Sequence, residues 1–191
     1  MNLPNKLTIL RILMAPLFLI ALLMEFPHHY LAALLIFAAA SLTDMLDGNI
    51  ARGRNLITDF GKFLDPLADK MLTTAAFLGF IKLELGIGIV WITFIVLIRE
   101  FLITSLRLIS AGKGTVIAAN IWGKAKTVSQ MIAIILTISG QYILSLVSAD
   151  NILTATVDIV TNVALWISAV LTVISGTVYV VQNAKFINPK K

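Results

Sequence analysis

Six long apolar stretches recur along the chain, with short polar breaks between them. Each stretch is about as long as a helix that crosses a bilayer, which needs roughly 20 apolar residues. The breaks contain turn-forming residues, such as Pro27, Gly53 with Asn55, and Gly86 with Gly88. The pattern predicts six transmembrane helices, over residues 7–24, 31–51, 59–82, 87–110, 120–145 and 153–184.

The composition agrees with a membrane protein. Hydrophobic residues make up 59% of the 191 residues and charged residues only 13%, whereas about a quarter of a soluble domain is charged. The length suffices for several spans but not for a further soluble domain, so we expect one all-α transmembrane domain over residues 1–191. Cysteine is absent, which excludes disulfides and thiolate metal sites.

The basic residues indicate how the chain is oriented. Six spans place both termini on one side, and that side receives fourteen of the fifteen lysines and arginines, while only Lys82 lies on the other. Because short connections rich in lysine and arginine stay in the cytoplasm, we expect cytoplasmic termini. The net charge of +5 then suits anionic headgroups and phosphate-bearing substrates, and it requires no nucleic acid.

Acidic residues gather where the second and third predicted helices meet. Asp44 and Asp47 are spaced i, i+3, and Asp65 and Asp69 are spaced i, i+4, so each pair shares one face of its helix. The short cytoplasmic connection brings these four carboxylates together, and they repel one another unless protons or cations neutralise them. Hard oxygen ligands without cysteine or histidine favour Mg²⁺ or Mn²⁺ over zinc. We therefore expect a divalent-metal site at the cytoplasmic membrane face.

The neighbours of these acids favour a phosphate-bearing ligand. Gly48 and Gly61 cost helix stability relative to alanine, so a close approach of ligand or backbone is a reasonable purpose for them. Arg52 and Arg54 add positive charge beside the acids, and two divalent ions that clamp a diphosphate would use all of these parts. Asp59 fits neither helical pair and is expected to cap the third helix without a chemical role.

The stretch from 44 to 69 resembles the signature of the CDP-alcohol phosphatidyltransferase family, D-x2-D-G-x2-A-R-x8-G-x3-D-x3-D. Every fixed position matches without a gap, through Asp44, Asp47, Gly48, Ala51, Arg52, Gly61, Asp65 and Asp69. The six predicted helices also agree with the fold of this family. The resemblance therefore extends over most of the chain.

The resemblance implies a reaction. In this family two divalent ions, held by the four aspartates, bind a CDP-linked lipid or alcohol; an acceptor hydroxyl attacks the phosphorus on the lipid side and CMP leaves. By analogy, Asp44, Asp47 and Asp65 are chiefly metal ligands, and Asp69 is both ligand and general base. The other signature positions would line the CDP-diacylglycerol pocket: Gly48, Ala51, Arg52 and Gly61.

Three further stretches indicate the acceptor. "NLPNKLTILRI" at 2–12, "IREFLITSLRLI" at 98–109 and "GKAKT" at 123–127 look like those of the bacterial phosphatidylglycerophosphate synthases of this family. The similarity implies transfer of a phosphatidyl group to sn-glycerol-3-phosphate, in a bacterial plasma membrane, by a homodimer. Small residues at 175–178 are candidates for the dimer interface.

Basic side chains near the cytoplasmic ends of the fourth and fifth helices suit a phosphorylated acceptor. Arg99 and Arg107 are eight residues apart and can share a helix face. Together with Lys124 and Lys126 they would form a receptor for a dianionic phosphate. Arg107 is the strongest candidate ligand, whereas Arg99 can instead pair with Glu100.

On the first helix, Asn5, Thr8 and Arg11 are spaced by about one turn. The resemblance makes them candidates for the nucleotide or the lipid phosphate, and an interfacial anchor is the alternative. His28 and His29 lie on the opposite side of the membrane in this topology, so we expect no catalytic role for them.

Other functions stay open at this point. Within the family, the acceptor could be inositol phosphate, or phosphatidylglycerol as in a cardiolipin synthase. A divalent-cation transporter would use the aspartates as an ion path. It would need acids near the bilayer midplane, however, and it leaves Arg52 and Arg54 unexplained, since positive charges beside the path repel cations.

Overall fold

The computed structural model describes residues 3–54, 59–112, 120–147 and 150–184. This part of the chain is all-helical, and its helices are α1 (Leu3–Leu23), α2 (His29–Arg54), α3 (Asp59–Lys82), α4 (Ile89–Gly112), α5 (Ile121–Leu146) and α6 (Asn151–Gln182). The all-α prediction is confirmed, and each predicted helix corresponds to an observed one.

Several observed helix ends extend beyond the apolar stretches, because polar residues continue the helices, whereas α4 begins at Ile89 rather than residue 87 and α6 ends at Gln182 rather than residue 184. α1 begins at Leu3 rather than residue 7, and its polar residues Asn5 and Thr8 are buried. α6 begins at Asn151 rather than residue 153. The Asp150 side chain caps it by accepting a hydrogen bond from the backbone N–H of Leu153 at 2.7 Å.

Apolar side chains from all six helices form one core. Its largest fully buried members are Phe18, Leu22, Phe37, Phe77, Phe80, Ile92, Ile134, Ile138 and Leu165. Buried alanines fill positions between α1, α2 and α3: Ala15, Ala21, Ala33, Ala40, Ala68 and Ala76. Small residues at helix interfaces allow the close backbone approach on which helix packing in lipid depends.

α5 and α6 pack through small and hydroxyl-bearing residues. At Gly140 an added Cβ would lie 2.6 Å from Cγ1 of Val157, so the two helices approach closely here. The buried hydroxyls of Thr137 and Thr172 donate to backbone carbonyls one turn earlier, at 2.8 and 2.7 Å. Their donors are therefore satisfied within the helices, as a site without water requires.

Four of the described helices are long and apolar enough to cross a membrane: Asn5–Leu23, Ile89–Ser110, Ile121–Leu146 and Asn151–Gln182. α2 has a shorter apolar segment, His29–Thr43. Large apolar side chains are exposed on the outer surface, among them Leu13, Trp91 and Leu108. These features are those of a multi-pass membrane protein, whose outer surface meets lipid rather than water.

At the end of the bundle that holds the α1–α2 and α3–α4 connections, polar contacts join the loops to α5 and α6. Asn162 Oδ1 accepts a hydrogen bond from the Ile87 N–H at 2.5 Å, and Trp166 Nε1 donates to the Ile87 carbonyl at 3.1 Å. His28 Nδ1 lies 3.2 Å from the Tyr142 hydroxyl. The candidate site lies at the other end of α2 and α3.

Candidate active site

The four signature aspartates lie on the helix ends that flank the α2–α3 connection. Asp44 and Asp47 lie within about three turns of the end of α2, and Asp65 and Asp69 within about three turns of the start of α3. Their side chains lie outside the described part of the chain, as do those of the other signature positions and the expected cap: Gly48, Ala51, Arg52, Gly61 and Asp59. Their metal, nucleotide and capping roles stay predictions.

A small cavity of about 50 Å³ lies between α1, α2, α3 and α5. Its polar lining comes from Arg11, Ser41, Thr73 and Thr127. Ser41 precedes Asp44 by three residues and Thr73 follows Asp69 by four, so each lies about one turn from an aspartate on its own helix. The structure therefore brings the aspartate-bearing segments of α2 and α3 to one part of the bundle.

The polar residues of α1 belong to the same region. Asn5, Thr8 and Arg11 have exposed fractions of only 7, 1 and 3%. A side chain that anchors a helix at the membrane interface would be exposed, so this burial disfavours the anchoring alternative. Asn5 and Thr8 stay predicted ligands of the CDP-linked lipid.

A larger cleft of about 470 Å³ lies beside the aspartate-bearing part of α3, and we call it the basic cleft. Its charged lining residues are Lys70 of α3, Arg99, Glu100 and Arg107 of α4, and Lys124 and Lys126 of α5. All four residues predicted to bind the acceptor phosphate therefore line this one cleft. Thr73 and Thr127 line both this cleft and the small cavity, so the two spaces adjoin.

Glu100 is the carboxylate around which cations of the cleft gather. Its Oε1 accepts hydrogen bonds from Lys126 Nζ and from Arg99 Nη1, the latter at 3.1 Å. Its Oε2 lies 4.0 Å from Lys70 Nζ. The Glu100 and Lys126 side chains are only 15% and 6% exposed, so water screens these charges weakly. One ion-pair network therefore joins α3, α4 and α5.

Arg99 reaches the cleft past two small residues of α6. An added Cβ at Gly176 would lie 3.1 Å from Arg99 Cγ, and Arg99 Nη2 donates to Ser175 Oγ at 2.7 Å. These two small residues belong to the segment suggested above for a dimer interface, and here they contact Arg99 of the same chain. Arg99 Nε is buried and has no hydrogen-bond partner among the described residues.

Tyr179 holds Arg107. Arg107 Nε donates to the Tyr179 hydroxyl at 3.1 Å, and the guanidinium carbon lies 5.6 Å from the centre of the ring, within the range of a cation–π interaction. Tyr179 is buried, with 2% of its surface exposed, whereas Arg107 and Lys124 are exposed. Arg107 is therefore an accessible cation on a fixed support.

Sequence reasoning missed three contributors to this cleft. From the sequence, Glu100 is expected only as a partner of Arg99, although it is the one acid in the apolar stretch of α4, and an acid at such a position is a functional signal. Lys70 is expected only among the cytoplasmic basic residues. Tyr179 gave no signal, because its role depends on how α6 packs against α4.

Comparisons with known proteins identify the family of the chain. The family model for CDP-alcohol phosphatidyltransferase matches residues 1–174. A Bacillus subtilis protein named CDP-diacylglycerol–glycerol-3-phosphate 3-phosphatidyltransferase is 40% identical over 194 aligned positions, 95% of each chain. A Rickettsia bellii protein of the same name is 36% identical over 178 positions, 93% of each chain.

A Mycobacterium tuberculosis protein named probable phosphatidylglycerophosphate synthase is 39% identical over 182 positions, which cover 94% of this chain and 80% of the relative. The similarity is thus spread along nearly the whole chain and is not confined to the aspartate signature. The chain belongs to the CDP-alcohol phosphatidyltransferase family.

Proposed function

We propose that this protein transfers the phosphatidyl group of CDP-diacylglycerol to sn-glycerol-3-phosphate, giving phosphatidylglycerophosphate and CMP. The observation that carries this choice of acceptor is the basic cleft, in which Arg99, Arg107, Lys124 and Lys126 lie together beside α3. Several cations around one cleft suit a small acceptor that carries a dianionic phosphate. The names of the relatives from Bacillus subtilis and Rickettsia bellii support the same reaction.

The acceptor phosphate binds the four basic residues, and its alcohol end extends toward α3. Asp69 immediately precedes Lys70 and lies one turn before Thr73, and both of these line the cleft. The acceptor oxygen forms a bond to the phosphorus that carries diacylglycerol, while the bond from that phosphorus to the CMP oxygen breaks. Asp69 takes the proton of the attacking hydroxyl as general base.

The donor set around the α2–α3 connection fits divalent ions, since four carboxylates are the hard ligands that Mg²⁺ and Mn²⁺ prefer. Asp44, Asp47, Asp65 and Asp69 would hold two such ions, which when bound neutralise the diphosphate and the leaving CMP. The CDP-diacylglycerol pocket is formed by the remaining predicted residues: Asn5, Thr8, Gly48, Ala51, Arg52 and Gly61.

The same proposal includes the topology. Six helices with one shared core support a single transmembrane domain over 1–191, with six spans, cytoplasmic termini and the site near the cytoplasmic face. The distribution of lysines and arginines supports this orientation. Family resemblance supports a homodimer in a bacterial plasma membrane.

The function is tested by measuring CMP release from CDP-diacylglycerol and Mg²⁺ with purified protein in detergent. We expect release that depends on glycerol-3-phosphate. Release only with inositol phosphate or phosphatidylglycerol would keep the family and overturn the acceptor. No release with any acceptor, from protein shown to be folded, would overturn the proposed reaction.

Replacing Arg107 by alanine is expected to raise the KM for glycerol-3-phosphate by about tenfold or more, because a hydrogen bond to a charged group contributes roughly 1.5–3 kcal/mol. The KM for CDP-diacylglycerol should change less than twofold. The measurement is the initial rate of CMP release with each substrate varied in turn.

The matched control for Arg107 is Lys82→Ala, which also removes one positive charge but at the other end of the bundle. It should leave both KM values unchanged. An equal rise of the two KM values in the Arg107 variant would argue against its place at the acceptor phosphate.

Tyr179→Phe isolates the hydroxyl that supports Arg107, since it keeps the ring beneath the guanidinium. Loss of one such hydrogen bond corresponds to about 0.5–1.5 kcal/mol. We expect the KM for glycerol-3-phosphate to rise about two- to twelvefold, with little change in kcat. In an Arg107→Ala background the same substitution should have no further effect, and an additional rise there would contradict the supporting role.

A further inference from the structure

We propose that Glu100 is a positioning residue of the acceptor site: its carboxylate holds Lys126 and Arg99 where the acceptor phosphate binds. The inference rests on the proposed function and assigns a role to an acid that neither the signature nor the predicted phosphate ligands include. Glu100 lines the basic cleft itself, although a carboxylate would by itself repel a phosphate.

The contacts of Glu100 explain how a carboxylate can help in a phosphate site. Lys126 and Arg99 both bond to the same oxygen, Oε1, from helices α5 and α4. Arg99 is fixed from its other side by Ser175 of α6. Two cations on different helices are thereby held side by side before any ligand arrives, which lowers the ordering cost of binding.

Because this ion-pair network is buried, removal of Glu100 is expected to weaken binding of the acceptor rather than strengthen it. Lys126 has only 6% of its side chain exposed, so water screens its attraction to the Glu100 carboxylate only weakly. Without Glu100, Lys126 and Arg99 lose the oxygen to which both of them bond, and the two cations are no longer held side by side. Removing the acid thus also disturbs the placement of two cations, so the cleft does not become a better phosphate site.

The network also reaches the helix that carries the proposed base. Glu100 Oε2 faces Lys70 across 4.0 Å, and Lys70 follows Asp69 directly on α3. Glu100 therefore ties the acceptor pocket of α4 and α5 to the segment of α3 at which the acceptor hydroxyl must react. Alignment of these parts is what an acceptor bound by its phosphate requires.

The test compares Glu100→Gln with the wild-type protein. We expect the KM for glycerol-3-phosphate to rise about tenfold or more, while binding of CDP-diacylglycerol, measured separately, changes less than twofold. Glu100→Asp keeps the charge and should recover part of the loss. A lower KM would show that the carboxylate competes with the phosphate, and an unchanged KM would show a purely structural acid; either result overturns the inference.

A double substitution tests whether Glu100 acts through Lys126. Lys126→Met and Glu100→Gln should each impair acceptor binding, and the combined variant should be about as impaired as either one, because the second change finds the pair already broken. Effects that multiply would overturn the inference. The double variant leaves no unpartnered charge of this pair, so it also serves if the Glu100→Gln protein does not fold.

Failure of the inference about Glu100 can be distinguished from failure of the proposed function. Wild-type protein that releases no CMP with glycerol-3-phosphate would remove the function itself, before any variant is compared. Wild-type activity with an unaltered acceptor KM in the variants removes only the role of Glu100. Glu84→Gln, an acid in the α3–α4 connection, is the matched control and should behave as wild type.

Discussion

Asp69→Asn is expected to lower the rate of CMP release by about 10²–10⁴-fold, the usual contribution of a general base. Asparagine nearly matches the aspartate in size and keeps an oxygen that can serve as ligand, but its amide cannot accept the proton of the attacking hydroxyl. The protein should therefore still bind CDP-diacylglycerol and divalent ions. The measurement is single-turnover CMP release, with binding of the lipid followed separately.

Asp59→Asn is the control for this prediction. Asp59 is the first residue of the same helix, it carries the same charge, and it is expected to act only as a cap. Its variant should retain turnover. A highly active Asp69→Asn protein would show that another group accepts the proton, whereas loss of lipid binding together with turnover would indicate that Asp69 acts mainly as a metal ligand.

The helices were predictable because each is dominated by a local signal. An apolar run of about 20 residues must be helical in lipid, since its backbone groups can find partners only within the segment. For this reason the predicted 120–145 and the observed Ile121–Leu146 nearly coincide. The predicted helix ends were less accurate. α1 begins four residues earlier than predicted, where polar residues are buried, whereas α4 begins two residues later and α6 ends two residues earlier than predicted.

Several residues of the candidate site could be predicted from the sequence, but the contacts between them could not. Arg99 and Arg107 share a face of α4, as their spacing indicates. Lys124 and Lys126 are only two apart and point away from one another on a regular helix, yet both line the basic cleft. Lys126 is buried against Glu100, whereas Lys124 is exposed. This division of roles depends on how the fold places Lys126 of α5 beside Glu100 of α4.

Glu100 and Tyr179 are two supporting residues whose roles could not be predicted from the sequence. Each lies in a predominantly apolar helix, and each acquires its role from a cation on α4 or α5. The aspartates on α2 and α3 are recognisable from sequence because their spacing is fixed by one connection. The basic cleft is built from three separate helices, so its supporting residues emerge only with the fold.

Removal of divalent ions should abolish CMP release altogether. The four aspartates are expected to come together across the α2–α3 connection and to repel one another without cations, and a diphosphate placed against them would add further negative charge. EDTA should therefore stop the reaction, and excess Mg²⁺ or Mn²⁺ should restore it. CMP release is measured before chelation, after chelation and after each ion is added back, with protein folding monitored by thermal unfolding.

The number of ions bound per chain distinguishes a catalytic metal site from loosely held counter-ions. Mn²⁺ titrated into the chelated protein in the presence of CDP-diacylglycerol should saturate at two ions per chain, and Asp47→Asn should reduce both this number and turnover. The matched control is Asp158→Asn, which neutralises an exposed acid on α6 and should retain both. Full activity in EDTA would contradict the proposed metal site. Vesicles that transport Mn²⁺ without releasing CMP would instead favour a transporter, because ions would then cross the membrane rather than stay beside the diphosphate.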